Sequence, residues 1–155
     1  MILLDLPTDQ AILAELGKIS LKHGHLDHML KMLVVTFTGA AISDVLDATR
    51  YEGSRTLRER IRKLAKSKLG DGKALVQLQA LLERCARASE KRNNLVHSLW
   101  GYELDNEHKI QSADHTWQSG PSMEDLKKLF NELDRLTQEI IFARLEGFLF
   151  EDVKK

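Results

Sequence analysis

One cysteine, Cys85, stands in 155 residues. No disulfide can form within the chain, and a structural zinc site built on several thiolates is excluded. Prolines number two, and aromatic residues make up 6%. With abundant Leu, Ala, Lys, Arg and Glu, that scarcity favours helix over sheet. The formal net charge is zero, so the field of the whole molecule singles out no acidic partner. The longest apolar run, Met32 to Phe37, is far too short to span a bilayer, and no membrane partner is expected. The opening "MILLDLPTDQ" lacks the basic region and long apolar stretch of a secretory signal, so a cytoplasmic location is expected. The sequence holds no phosphate-binding glycine loop, dinucleotide fingerprint or G-x-S-x-G, and no cofactor is implied.

What is present is helical periodicity. After Thr8 or Asp9, either able to cap a helix, come Ile12, Leu16, Ile19, His23, Leu26, Leu30, Leu33 and Phe37 at steps of four and three. Gly17 and Gly24 lie off this stripe, and each costs about 1 kcal/mol against Ala, which leaves room for a kink. Gly39 suits the end. A short helix over Ile42 to Thr49 is broken by "YEGS". Leu57, Ile61, Leu64 and Leu69 mark another, ended by "GDG". Leu75, Leu78, Leu82, Cys85 and Ala88 then lead to Arg92, Leu95 and Leu99, with Trp100 and Gly101 closing the helix.

The stretch from Tyr102 to Pro121 is polar and irregular, with "KIQS" and "HTWQS" suggesting a small hairpin. "SMED" caps a last helix, whose stripe is Leu126, Leu129, Leu133, Leu136, Ile140 and Ala143. Phe148 and Phe150 end it. The pattern predicts one all-α domain over residues 1–155, an antiparallel bundle of four main helices plus a short extra helix. Long helices in so small a bundle leave apolar surface at one side, which predicts a homodimer.

The charges are unevenly spread. Arg50 to Lys73 holds nine basic and three acidic residues, and Tyr102 to the end holds seven and twelve. The first stretch makes Arg55, Arg58, Arg62, Lys63 and Lys66 candidate contacts for RNA phosphates, unless i,i+4 ion pairs consume them.

Chemistry concentrates in "EKRNNLVHSLWG", residues 90 to 101. Arg92 falls on the apolar stripe, where a guanidinium cannot lose its proton. It therefore either reaches a carboxylate in the core or lines a polar pocket or subunit seam. Asn93 and His97 are i,i+4, so the amide is placed to orient the imidazole. Glu90 and Asn94 are candidate supporting contacts. An arginine offers paired hydrogen bonds to phosphate oxygens, and a histidine moves protons near neutral pH, so together they suit a phosphodiester without a metal. "HGHLDH" places His23, His25 and His28 close in sequence, but no single helical face collects three of its side chains. It is not read as a metal site, and His23 is read as a core or interface histidine.

"RNNLVH", Arg92 to His97, resembles the R-x(4–6)-H signature of the HEPN superfamily, in its R-N-x-x-x-H form. The helical layout is similar too, with the motif near the end of a long helix in the second half. The resemblance implies a two-fold dimer in which Arg and His of both chains meet. It implies a metal-independent endoribonuclease with Arg92, His97 and Asn93 in the catalytic site, often in toxin, phage-defence or stress systems with an antitoxin or regulatory protein as partner. Other members are non-catalytic modules that bind a nucleotide or a partner protein. In a third reading Arg92 and His97 only lock the dimer. One variety, modified on a tyrosine two residues after the His, is not implied, because Leu99 stands there.

Overall fold

A computed structural model describes residues 2–103, 108–113 and 116–152. The protein is mainly helical. The elements in chain order are β1 (Ile2–Leu4), α1 (Gln10–Thr38), α2 (Ile42–Ala48), α3 (Ser54–Leu69), α4 (Lys73–His97), β2 (Leu99–Glu103), β3 (His108–Ala113), β4 (Thr116–Ser119), α5 (Met123–Leu145) and α6 (Phe148–Asp152).

The Asp9 carboxylate caps α1 by accepting from the amides of Ala11 at 2.9 Å and Ile12 at 3.3 Å. Gly39, at φ 66°, ends it in the left-handed conformation that glycine adopts without a side-chain clash. The helix runs unbroken through Gly17 and Gly24, so the room for a kink is not used. The stripe along α1 buries Ile19, Leu26, Leu30 and Leu33 completely. α5 starts at a capping box: Ser122 accepts from the Asp125 amide, and Asp125 accepts from the Ser122 amide. The last helical stretch divides at Gly147, so Phe148 begins the separate α6.

The four long helices pack in the ring order α1, α3, α4, α5, and α1 meets α4 across the diagonal. Their apolar stripes fill the interior with Leu57, Ile61, Leu78, Leu82, Leu133, Leu136 and Ile140, all fully buried. Ion pairs tie neighbours at the rim. Lys22 reaches Asp134 at 2.7 Å between α1 and α5, and Arg84 reaches Glu139 at 2.6 Å between α4 and α5.

A four-stranded antiparallel sheet, ordered β1-β2-β3-β4, is added to the bundle. The "KIQS"/"HTWQS" hairpin forms as β3 and β4, although His115 lies outside the described residues. The expectation that α4 continues through Leu99 to Trp100 is corrected. α4 stops at His97, Ser98 turns extended, and Leu99 and Trp100 lie in β2. Gly101 is a strand residue rather than a helix terminator. It pairs with Leu4, and a Cβ there would stand 2.6 Å from the Leu3 carbonyl oxygen. Only glycine lets β1 approach so closely. The Asp5 amide extends the join to the Trp100 carbonyl at 3.2 Å, and the Thr8 amide donates to the Tyr102 hydroxyl at 3.0 Å.

Candidate functional site

Five residues separate Arg92 from His97 on one continuous helix. At 3.6 residues per turn they project about 140° apart around its axis. Arg92 follows the core stripe inward and is half-buried, whereas His97, the last residue of α4, is exposed. The sequence therefore sets the two groups side by side along the chain, but the helix turns them to different faces.

Arg92 lies at the mouth of a polar seam through the bundle. One turn earlier on α4, Ser89 is buried and accepts from Arg58 Nη1 at 3.5 Å. Its hydroxyl also lies 3.1 Å from Nε2 of His23, across the diagonal on α1. His23 Nδ1 faces Asp27 Oδ2 at 3.6 Å, and Ser54 donates to the other Asp27 oxygen. This suits the tautomer with its proton on Nδ1 and Ser89 donating to Nε2. Burial is the largest cause holding the His23 pKa below its ordinary value. Asp27 opposes that, and the charges of Arg92 and Arg58 reinforce it. The seam joins α1, α3 and α4 through residues far apart in sequence, so the linear pattern does not display it. Its one local sign is a histidine on an apolar stripe.

Arg92 donates from Nη1 to Asn93 Oδ1 at 3.0 Å. Asn93 thus serves Arg92 and not His97: no Asn93–His97 hydrogen bond forms among the described residues, which corrects the expected orienting role. Arg92 Nε is buried and has no hydrogen-bond partner among the described residues. No carboxylate there lies within ion-pair distance of this guanidinium, so the core-carboxylate alternative is not realised.

His97 is held by the helix end. Ser98 donates back to the Asn94 carbonyl, and Trp100 Nε1 donates to the Leu95 carbonyl at 3.0 Å. These satisfy carbonyls that a helix terminus leaves unpaired. Trp100 therefore fastens the sheet to the turn that carries His97. Glu90, Asn93 and Asn94 are all exposed. Val96 and Leu99 flank His97 and are 42% and 52% exposed, large values for apolar side chains.

The α3 cations do not form one free track. Arg58 is buried, which corrects its expected place on an RNA-facing surface. Arg55 pairs with Glu59 at 3.1 Å, and Arg62 pairs with Glu83 at 2.6 Å. Lys63 and Lys66 are exposed. His25 and His28 also face solvent while His23 turns inward. Among the described residues no group of three His, Cys, Asp or Glu is placed to share a metal ion. None of their helices is long and apolar enough to cross a membrane. Burial pushes the Cys85 thiol up to about 12, which leaves it unreactive at neutral pH.

No family model matches the chain, and no curated protein or solved structure matches it.

Proposed function

We propose that this chain is a HEPN-like, metal-independent endoribonuclease that acts as a homodimer, with Arg92 of one copy and His97 of the other on the same phosphodiester. The observation that carries this reading is the state of Arg92. A half-buried guanidinium with no carboxylate partner and an unbonded Nε among the described residues is a site short of an anion. A scissile phosphate supplies that charge. The exposed Val96 and Leu99 give a second copy an apolar surface to cover, and a two-fold axis there compensates for the 140° or so between the two groups.

In the reaction, His97 takes the proton of the ribose 2′-hydroxyl as the 2′-oxygen attacks phosphorus. The bond from phosphorus to the 5′-oxygen breaks, and the imidazolium returns the proton to that oxygen. The products are a 2′,3′-cyclic phosphate and a 5′-hydroxyl. Arg92 holds the charge that gathers on the non-bridging oxygens. Asn93 holds the guanidinium, and Trp100 holds the helix end that presents the ring. A cytoplasmic setting with an antitoxin as regulator belongs to the same proposal.

The test is cleavage of single-stranded RNA by wild type and His97→Ala with a chelator present. The expected result is cyclic-phosphate ends from wild type and a loss of about 100-fold or more in the variant. Equal cleavage by both, or none by either across varied RNAs, removes the reading. If RNA is bound but never cut, the binding-module reading takes its place.

A further inference from the structure

A groove of about 990 Å³ separates α4 from α5. On its α4 wall Arg84, Arg87, Lys91 and Asn94 follow one another at steps of three, four and three, so they form one row along the helix. Lys128 and Arg135 face them from α5, and the lining carboxylates are Asp125 and Glu132. Five cations thus meet two anions on a neutral molecule.

The cations are not equivalent. Arg84 bonds Glu139 and Glu132, Arg135 bonds Glu132, and Lys128 pairs with Glu124. Arg87 and Lys91 are exposed, and neither makes an ion pair among the described residues. Among the described residues their charge is unmatched. His97 lies three residues past Asn94, at the end of the same helix and beyond the groove's lining.

The dimensions favour a single strand. From Arg84 to Asn94 the row is about 15 Å long, the rise of roughly four stacked nucleotides. Packed helices run with axes about 8–10 Å apart, a spacing that suits a narrow single strand better than a duplex. Of its apolar lining, Leu95 is half-buried, while Leu126 and Leu129 belong to the core beneath.

We propose that the groove between α4 and α5 is a track for the backbone of single-stranded RNA, with Arg87 and Lys91 the phosphate contacts, leading to His97. The track rests on the ribonuclease reading for its direction, but its binding needs no turnover. It puts the RNA on α4 and α5 in place of α3, where Arg55 and Arg62 are already neutralised.

The experiment is fluorescence anisotropy with a labelled oligouridylate of about 12 nucleotides, run in the His97→Ala background so that cleavage cannot intervene. Adding Arg87→Gln and Lys91→Gln is expected to weaken binding about tenfold or more at low salt. It should also flatten the slope of log affinity against log salt by about 1.4, the share of two single-strand phosphate contacts. Adding Lys63→Gln and Lys66→Gln instead should change affinity by less than about twofold.

The proposal is overturned if the protein does not bind the oligomer, if the Arg87/Lys91 variant binds unchanged, or if the α3 variant loses as much. Tighter binding of an RNA duplex, or equal competition by polyglutamate per unit charge, overturns it too. A protein that binds through Arg87 and Lys91 but never cuts defeats the ribonuclease reading and leaves the track standing.

Discussion

The imidazole Nε2 of His23 lies 3.1 Å from the Ser89 hydroxyl, joining the two helices that face each other across the bundle diagonal. Ser89 serves two partners at once, because Arg58 also donates to it. Removing the hydroxyl leaves a buried ring nitrogen and a buried guanidinium short of a bond. Ser89→Ala is therefore expected to lower stability by about 1–3 kcal/mol in urea melts. A change below about 0.5 kcal/mol would show that the seam contributes little.

The same ring makes stability depend on pH. Burial, reinforced by Arg92 and Arg58 and opposed by Asp27, holds its pKa below the ordinary value. A ring with a lowered folded pKa stays neutral in the fold but takes up a proton more readily once unfolded. Its contribution is full above about pH 6.5, the unfolded value, and is lost as pH falls through the folded one. Subtracting the His23→Gln melting curve from that of wild type between acid and neutral pH isolates this contribution. Wild type should lose more on acidification. Parallel curves would contradict the assignment.

Arg92 separates a structural ion pair from an anion site. A broken buried pair costs about 3–5 kcal/mol, but among the described residues Arg92 has no carboxylate within ion-pair distance to strand. Arg92→Met is expected to keep or raise the melting temperature while RNA cleavage falls about 100-fold or more. Since Arg92 depresses the His23 pKa, proton NMR should find that ring titrating higher in the variant. A large loss of stability with an unmoved His23 titration would point to the structural reading.

Gly101 is where the sheet meets the helix that carries His97. Its absent Cβ is what admits the Leu3 carbonyl. Gly101→Ala should push β1 away, raise amide exchange at Leu4 and Asp5, and cost roughly 1–3 kcal/mol by the strain it forces. Unchanged exchange at those amides would contradict the close approach.

The helical scaffold was legible because each long helix carries a local stripe: Ile19, Leu26 and Leu33 on α1, Leu78 and Leu82 on α4, and Leu133, Leu136 and Ile140 on α5 all became core. The capping box at Ser122 was legible for the same reason, since its partners are three residues apart. β2 was not. Leu99 stands four residues after Leu95 and imitates one more helical turn, while its sheet partner is Ser112 on β3, and the strand that pairs with Gly101 to Glu103, Ile2–Leu4, lies at the other end of the chain. The candidate site divides in the same way. Arg92 on an apolar stripe could be read from spacing, but the seam of His23, Arg58 and Ser89 depends on packing between three helices. The mismatch in direction between Arg92 and His97 follows from their spacing once the helix is known to reach His97 without a break.

The central claim is a catalytic site shared between two copies, and mixing two inactive variants tests it most directly. Arg92→Ala and His97→Ala are prepared separately, mixed, and allowed to exchange subunits, with native mass spectrometry confirming the mixed dimer. In that dimer one site carries both substitutions and the other carries neither. About a quarter of the wild-type activity per chain should return, since half of the dimers are mixed and each has one intact site. A confirmed mixed dimer as inactive as its parents would contradict the account.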